Sequence, residues 1–315
     1  MEAGKIERIS AFAPATVANL GVGFDILGLA VNEPGDRVTA MRSDRAGVRI
    51  VEIHGDAGKL PQGRRNTAVI AAEGVLQKVA DPVGIELIIE KGLPLASGLG
   101  SSAASAVAAA VAVNVLLGKP LQRSALLSVC LEAEAVVSGR HADNVAPALY
   151  GGIVLLSGET VQALPIPTDL VLCLITPEIS IATASARALL PKYVPLNQLV
   201  QQTAALGRLI DALHRNDLRA AVQAMESDTI IEPARRDLIL ALDEARRAAK
   251  AAGAYGLIIS GAGPTLCAFC TNHSAAARCA QAVSEVYQNQ HIPCQTFLTR
   301  ISDRGAHSIA PHERS

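Results

Sequence analysis

Along the chain, apolar positions fall into short β-branched runs separated by longer alanine- and leucine-rich stretches of helical period. The runs Ile6–Ala11, Arg37–Met41, Val48–Ile53 and Ile85–Glu90 predict strands, and the stretch from about Asn66 to Val79 predicts a first helix. A second helix begins after the glycine- and serine-rich segment "GLPLASGLGSSAAS", and a third covers Ser124–Ser138. The polar segment "GRHADNVAP" after it reads as a turn, and "YGGIVLLSG" as a strand after a tight approach.

Beyond Ser157 the texture changes. The run "LPIPTDLVLCLITP" predicts one strand between prolines, then helical stretches over Ala182–Leu190, Asn197–Asn216 and, with breaks, Asp217–Ala252. Strands "YGLIIS" and "TLCAFC" flank a second glycine turn, "SGAGPT", before helix Ser274–Gln288 and strand Cys294–Thr299. The polar tail from Ser302 is expected to be loose. A chain of 315 residues exceeds what one core usually serves, so two domains are expected, meeting near 156–168.

Composition narrows the function classes. Net charge is −1 and aromatic content only 3%, with no Trp, so neither a phosphate-neutralising surface nor base-stacking rings are offered and no nucleic-acid partner is expected. The most apolar stretch, Ala103–Leu117, is shorter than the roughly 20 residues a membrane span needs, and Ser105 and Asn114 interrupt it. It reads as a buried helix, and no membrane partner is expected. The start "MEAGKIERISAF" lacks a basic segment followed by an apolar one, which points to the cytoplasm. Six cysteines in so long a chain suit a reduced enzyme. Cys267 and Cys270 spell C-x-x-C, but on a strand such residues face opposite ways, which argues against a metal or redox role.

The segment Gly98-Leu-Gly100-Ser-Ser-Ala103 fits the dinucleotide pattern G-x-G-x-x-A. That reading fails downstream of the loop, since Gly118–Leu131 reads as a turn and another helix where a second strand ending in Asp or Glu is required. A Walker loop fails too, because no G-K-[ST] is present. What remains is a glycine turn opening a helix, whose inward N–H groups, capping serines and positive helix end suit a phosphate without any lysine in the loop. Taken alone, the loop is better explained as an ordinary glycine turn before a core helix.

Three segments together remove that ambiguity. "PLASGLGSSAAS" resembles the phosphate loop of the galactokinase, homoserine kinase, mevalonate kinase and phosphomevalonate kinase (GHMP) superfamily. "FAPATVANLGVGFDILGLAV" (Phe12–Val31) is similar to the first motif of that superfamily in the form homoserine kinases use, and "ISGAGPTLCAF" (Ile259–Phe269) to its third. They occur in the right order and span most of the chain. The resemblance implies an α+β fold of two domains. Residues 1–157 would form a mixed α/β ATP-binding domain, 158–301 a ferredoxin-like domain, and 302–315 a flexible tail.

It also implies a chemistry: ATP-dependent phosphorylation of the side-chain hydroxyl of L-homoserine, with Mg²⁺, in a homodimer. Pro94, Leu95, Ala96, Ser97, Gly98 and Leu99 would wrap the nucleotide phosphates. Gly100, Ser101, Ser102, Ala103 and Ala104 would present the helix start to them, and Asn66 would border the adenine pocket. Read as residues, a carboxylate at Glu134 together with a hydroxyl of Ser101 or Ser102 suits Mg²⁺, a cation that prefers oxygen ligands; the resemblance makes Glu134 the magnesium glutamate and Ser102 its partner. Glu132, two residues away, lies on another helix face.

On the acceptor side the resemblance places His141, Asp143 and Asn144 beside the phosphoryl acceptor, Asp143 as base or hydrogen-bond acceptor and Asn144 as orienting group. Arg187 and Arg235 would take the substrate carboxylate, with Thr183 alongside. Asn19 and Asp25 would meet its amino end and hydroxyl, and Gly261 would bring backbone close to the loop or substrate. Three departures stand out: Val22 replaces a usual proline, "SGRHADN" is one residue shorter than the spacing of many relatives, and Leu-Ile-Leu replaces the usual Ile-Pro after Arg235. The alternatives are another GHMP kinase of a small alcohol such as mevalonate, and a silent ligand-binding member of the fold.

Overall fold

A computed structural model describes residues 6–137, 139–158 and 160–309. The chain opens with strands β1 (Arg8–Ala18), β2 (Leu27–Ser43) and β3 (Val48–His54), helix α1 (Thr67–Val79) and strand β4 (Gly84–Glu90). Helices α2 (Ser101–Leu116), α3 (Arg123–Ala135) and α4 (Ala142–Tyr150) lead into β5 (Ile153–Ser157) and β6 (Thr160–Leu164). After β7 (Val171–Pro177) come α5 (Thr183–Ala188), α6 (Leu196–His214), α7 (Leu218–Met225), α8 (Ile231–Arg235) and α9 (Leu242–Ala251). Strands β8 (Gly256–Ile259) and β9 (Leu266–Cys270), helix α10 (His273–Gln288) and strands β10 (Cys294–Thr299) and β11 (His307–Ile309) complete the order.

Two sheets result among the described residues. The first runs β11-β1-β2-β4-β3, with β5 attached to the other half of β2 and β6 to β5. The second runs β10-β7-β9-β8 with every neighbour antiparallel, the ferredoxin-like order the resemblance implied. α2 carries alanine and valine on all sides, and 13 of its 16 residues are buried between the first sheet and α1, α3 and α4. In the second sheet, Val171, Cys173 and Ile175 join a core with α9 and α10, whereas Leu172, Leu174 and Phe269 join the large core that also holds α2, α6 and α7. Cys267 and Cys270 fall into these two cores separately, on opposite faces of β9.

Several expectations need correction. β2 extends from Leu27, well before the expected Arg37, because Gly28 and Gly35 are there for close packing: a Cβ on Gly28 would lie 2.0 Å from the Asp143 carbonyl oxygen, and one on Gly35 2.3 Å from the Phe12 ring. β6 lies beyond the expected boundary at 157, yet it pairs with β5 and extends the first sheet. The segment "ADNVAP", expected as a turn, is the start of α4; its polar residues face a cavity while Val145, Ala146 and Leu149 fill the core. Nor is the segment 302–309 loose. The Ser302 amide donates to Ala30 and the Ala306 amide to Ala148, and β11 pairs with β1 at the sheet edge. Residues 310–315 lie outside the described residues. No helix among the described residues is long and apolar enough to cross a membrane.

Candidate active site

A cavity of about 440 Å³ opens where the N-termini of α2 and α4, the β1–β2 turn, α5 and the β8–β9 turn meet. Its floor at one end is the glycine loop. Gly98 and Gly100 hold φ of 81° and 67°, the left-handed region that glycine enters without a Cβ penalty. Neighbours leave no room for a side chain either: a Cβ on Gly98 would lie 2.4 Å from the Ser260 carbonyl oxygen, and one on Gly100 2.2 Å from the Thr16 hydroxyl. The third motif grips the loop through Ser260 Oγ to the Gly98 carbonyl (2.7 Å) and the Thr265 amide to the Ser97 carbonyl (3.1 Å). The first motif does so through the Thr16 amide to the Leu99 carbonyl (3.1 Å).

Gly100, rather than a serine, is the N-cap of α2, and no side chain caps the helix. The first intrahelical bond runs from the Ala104 amide to the Gly100 carbonyl, which leaves the amides ahead of it to the positive helix end. Leu95, Ala96, Ser97, Gly98, Gly100, Ser101 and Ser102 line the cavity; Leu99, Ala103 and Ala104 are fully buried in the core beneath, and Pro94 stands outside the lining. Asn66 lines the cavity too, but its amide caps α1 at the Ala68 N–H and donates to the Pro61 carbonyl, so its hydrogen bonds serve the cavity wall.

The loop sequence holds no lysine, yet the fold brings one under it. Lys91 hydrogen-bonds the Asp36 carboxylate, the Ser101 carbonyl (2.9 Å) and Ser105 Oγ (2.8 Å), with the lysine and aspartate side chains 1% and 0% exposed. Asp36 also accepts from the Gly92 amide (3.1 Å) and from Ser105 Oγ (2.7 Å). One carboxylate thus fastens both ends of the loop, directly at Gly92 and through Lys91 at Ser101. Burial holds the Lys91 ammonium below its ordinary pKa, while the Asp36 charge works against that shift.

Beside the loop, Ser102 Oγ donates to Glu134 Oε1 at 2.8 Å, and the Ser101 hydroxyl is buried with no hydrogen-bond partner. Glu134 is 4% exposed and lines the cavity. Glu132 pairs instead with Arg140 on the outside of α3. The hydroxyl and carboxylate oxygens of Ser102 and Glu134 are hard donors of the kind Mg²⁺ takes.

At the other end, Asp143 and Asn144 stand in the first turn of α4, with His141 as its N-cap. Asp143 is buried, its Oδ1 has no hydrogen-bond partner, and burial followed by the nearby Asp25 charge pushes its carboxyl up to about 7. Asp25 accepts from Arg187 Nη2 at 2.7 and 3.0 Å, and the same nitrogen lies 3.1 Å from His141 Nδ1. The Arg187 and Arg235 guanidiniums sit 5.3 and 5.1 Å from the Phe24 ring centre, a cation–π arrangement that holds two like charges side by side. Arg235 is buried and donates to the Gly261 carbonyl (3.2 Å). Asn19, at φ 73°, spends its amide on the Gly261 carbonyl and the Asp25 N–H, which fixes where Asp25 and Gly261 stand. Thr183 and Gly261 also line the cavity.

All the proposed acceptor-side residues therefore meet around one space. The sequence reading missed Lys91, Asp36, Ser105, Phe24 and Thr16. A charge within strand β2 (Asp36) and another at the end of β4 (Lys91) were the only visible signal, and their pairing spans 55 positions.

Comparison with known proteins agrees with this geometry. Residues 66–152 match the family "GHMP kinases N terminal domain", and residues 209–289 match "GHMP kinases C terminal". The chain is 42% identical over 298 residues to a homoserine kinase of Xylella fastidiosa (strain M12), covering 94% of this chain and 92% of that one. Its structure is similar to the crystal structure of homoserine kinase from Cytophaga hutchinsonii, with TM-score 0.93, 41% identity and coverage of 98% and 99%. Mevalonate kinase from Methanococcus jannaschii, at 15% identity and TM-score 0.72 over 95% and 99% of the two chains, shares the fold.

Proposed function

The chain belongs to the homoserine kinase family of the GHMP kinases, and from that premise we propose that it transfers the terminal phosphoryl group of ATP to the side-chain hydroxyl of L-homoserine. The product is O-phospho-L-homoserine, on the route to threonine. The observation that carries the acceptor assignment is the Asp25–Arg187 pair, 2.7 Å apart, beside the buried Arg235. Opposite charges held side by side suit an α-amino acid, whose carboxylate takes the arginines and whose ammonium takes Asp25. Mevalonate has a carboxylate for the arginines but no ammonium to bring to Asp25.

Phosphoryl transfer rests mainly on positioning and charge neutralisation. Loop amides at the start of α2 hold the phosphates. Asp143 Oδ1, free of other partners, accepts the hydrogen of the substrate hydroxyl when ionised, and Asn144 orients the same oxygen. Ser102 and Glu134 would hold Mg²⁺, which when bound offsets the charge of the phosphate oxygens. Glu134→Gln is expected to lower turnover at ordinary magnesium far more than it weakens homoserine binding; equal turnover in variant and parent would remove Glu134 from the site.

The deciding experiment is a coupled ADP-release assay over small alcohols. Turnover with homoserine is expected, and robust turnover with mevalonate or a sugar alongside none with homoserine rejects the assignment. The same reading places the enzyme in the cytoplasm as a homodimer. The exposed apolar side chains Leu189, Tyr193, Val194, Leu196, Leu199 and Val200 are the surface a second copy would cover.

A further inference from the structure

We propose that Thr16 is a positioning residue of the transfer step, acting through Asn144. Thr16 lies on β1 between Ala15 and Val17, and all three are completely buried. A valine would fill that space with no polar group to satisfy. The threonine hydroxyl is instead committed to a single residue of the cavity, donating to Asn144 Oδ1 at 2.8 Å. A carboxamide has an acceptor end and a donor end of nearly equal shape, so its orientation is set by its hydrogen bonds. With the oxygen taken up by Thr16, the two N–H donors of Asn144, a residue that lines the cavity, are left for other partners.

Donors in that space are what the reaction needs, because negative charge is spread over the oxygens of the group in transfer and on the acceptor oxygen. The backbone of the same residue ties this amide to the nucleotide end. Thr16 donates its own N–H to the Leu99 carbonyl (3.1 Å), and the alpha carbon of Gly100 packs so closely that a Cβ there would lie 2.2 Å from the Thr16 hydroxyl and 2.8 Å from Asn144 Oδ1. Thr16 therefore touches both the phosphate loop and the acceptor-side amide.

This inference rests on the phosphoryl-transfer reading above, and its test separates the two. Wild-type turnover with homoserine is measured first; its absence fails the acceptor assignment. With turnover in hand, kcat and both KM values are measured for T16V, T16S, N144A and T16V/N144A. T16V should lower kcat by about 10- to 100-fold and leave both KM values within about threefold. T16S, which keeps the hydroxyl, should recover most of that loss. In the N144A background T16V should cost less than about twofold, because the partner it positions is gone. A wild-type kcat in T16V, a T16S as impaired as T16V, or losses that multiply in the double variant would overturn the proposal. T16A runs the same cycle if the valine variant does not fold.

Discussion

Asp143 shows how much a single carboxyl can carry. Folding moves it from an ordinary value of 3.8 to about 7, chiefly by burial and then by the neighbouring Asp25 charge. Between those two values the folded protein keeps a proton that the unfolded chain has released, so the proton stabilises the fold at low pH and that contribution is lost as pH rises through about 7. The asparagine variant cannot titrate. The stability of the wild type relative to Asp143→Asn should therefore fall steadily across that window, as urea unfolding at a series of pH values would measure. The variant's turnover should fall at every pH, while wild-type kcat should climb towards and past neutrality as Oδ1 becomes an acceptor. A relative stability that rises with pH would contradict the assignment. At this scale the sequence pointed to residues that the fold gathers round one cavity, as with Ser102, Glu134, Asp143 and Arg187. It was silent on Thr16, whose meaning depends on Asn144, 128 positions away.

Elements are shaped by what presses on them. α2 was legible because alanine and valine on every side leave only a buried helix as an outcome. α4 was not, since His141, Asp143, Asn144 and Pro147 look like turn chemistry until a cavity exists for the polar ones to face. The same holds for β2, whose glycines and proline argue against a strand locally; the close approach of Phe12 and α4 explains the two glycines. The joint between β2, β4 and the glycine loop is the buried Lys91–Asp36 pair. Lys91→Met would leave the Asp36 carboxylate buried without its counter-charge, at a cost of about 3–5 kcal/mol. Adding Asp36→Asn should return part of that stability, read by chemical denaturation, because the uncompensated charge is removed. Both variants should show a raised KM for ATP, since the loop has lost its fastening at Ser101. A double variant less stable than Lys91→Met alone would argue against the pair as the source of the loss.

For the molecule as a whole, the two sheets share one large core. Leu172, Leu174 and Phe269 of the second pack into the same cluster as the α2 helix of the first half. The chain then goes back, and 302–309 runs along Ala30, Ala148 and β1 to close the first sheet. This return was not legible: "SDRGAHSIAPHERS" has no alternating apolar run, and its three-residue strand is made by the edge it meets. A chain ending at Ser302 should lose the β1 partner and the Ala306–Ala148 bond, and should unfold at a lower temperature with more aggregation in a thermal scan. An unchanged melting temperature would show that the edge is stable without it. On the ribosome, this arrangement means that the half carrying the glycine loop cannot finish when its own residues have emerged. Its outermost strand is translated after every element of the second sheet, so a nascent chain halted before it would carry β1 with an open, pairing-competent edge.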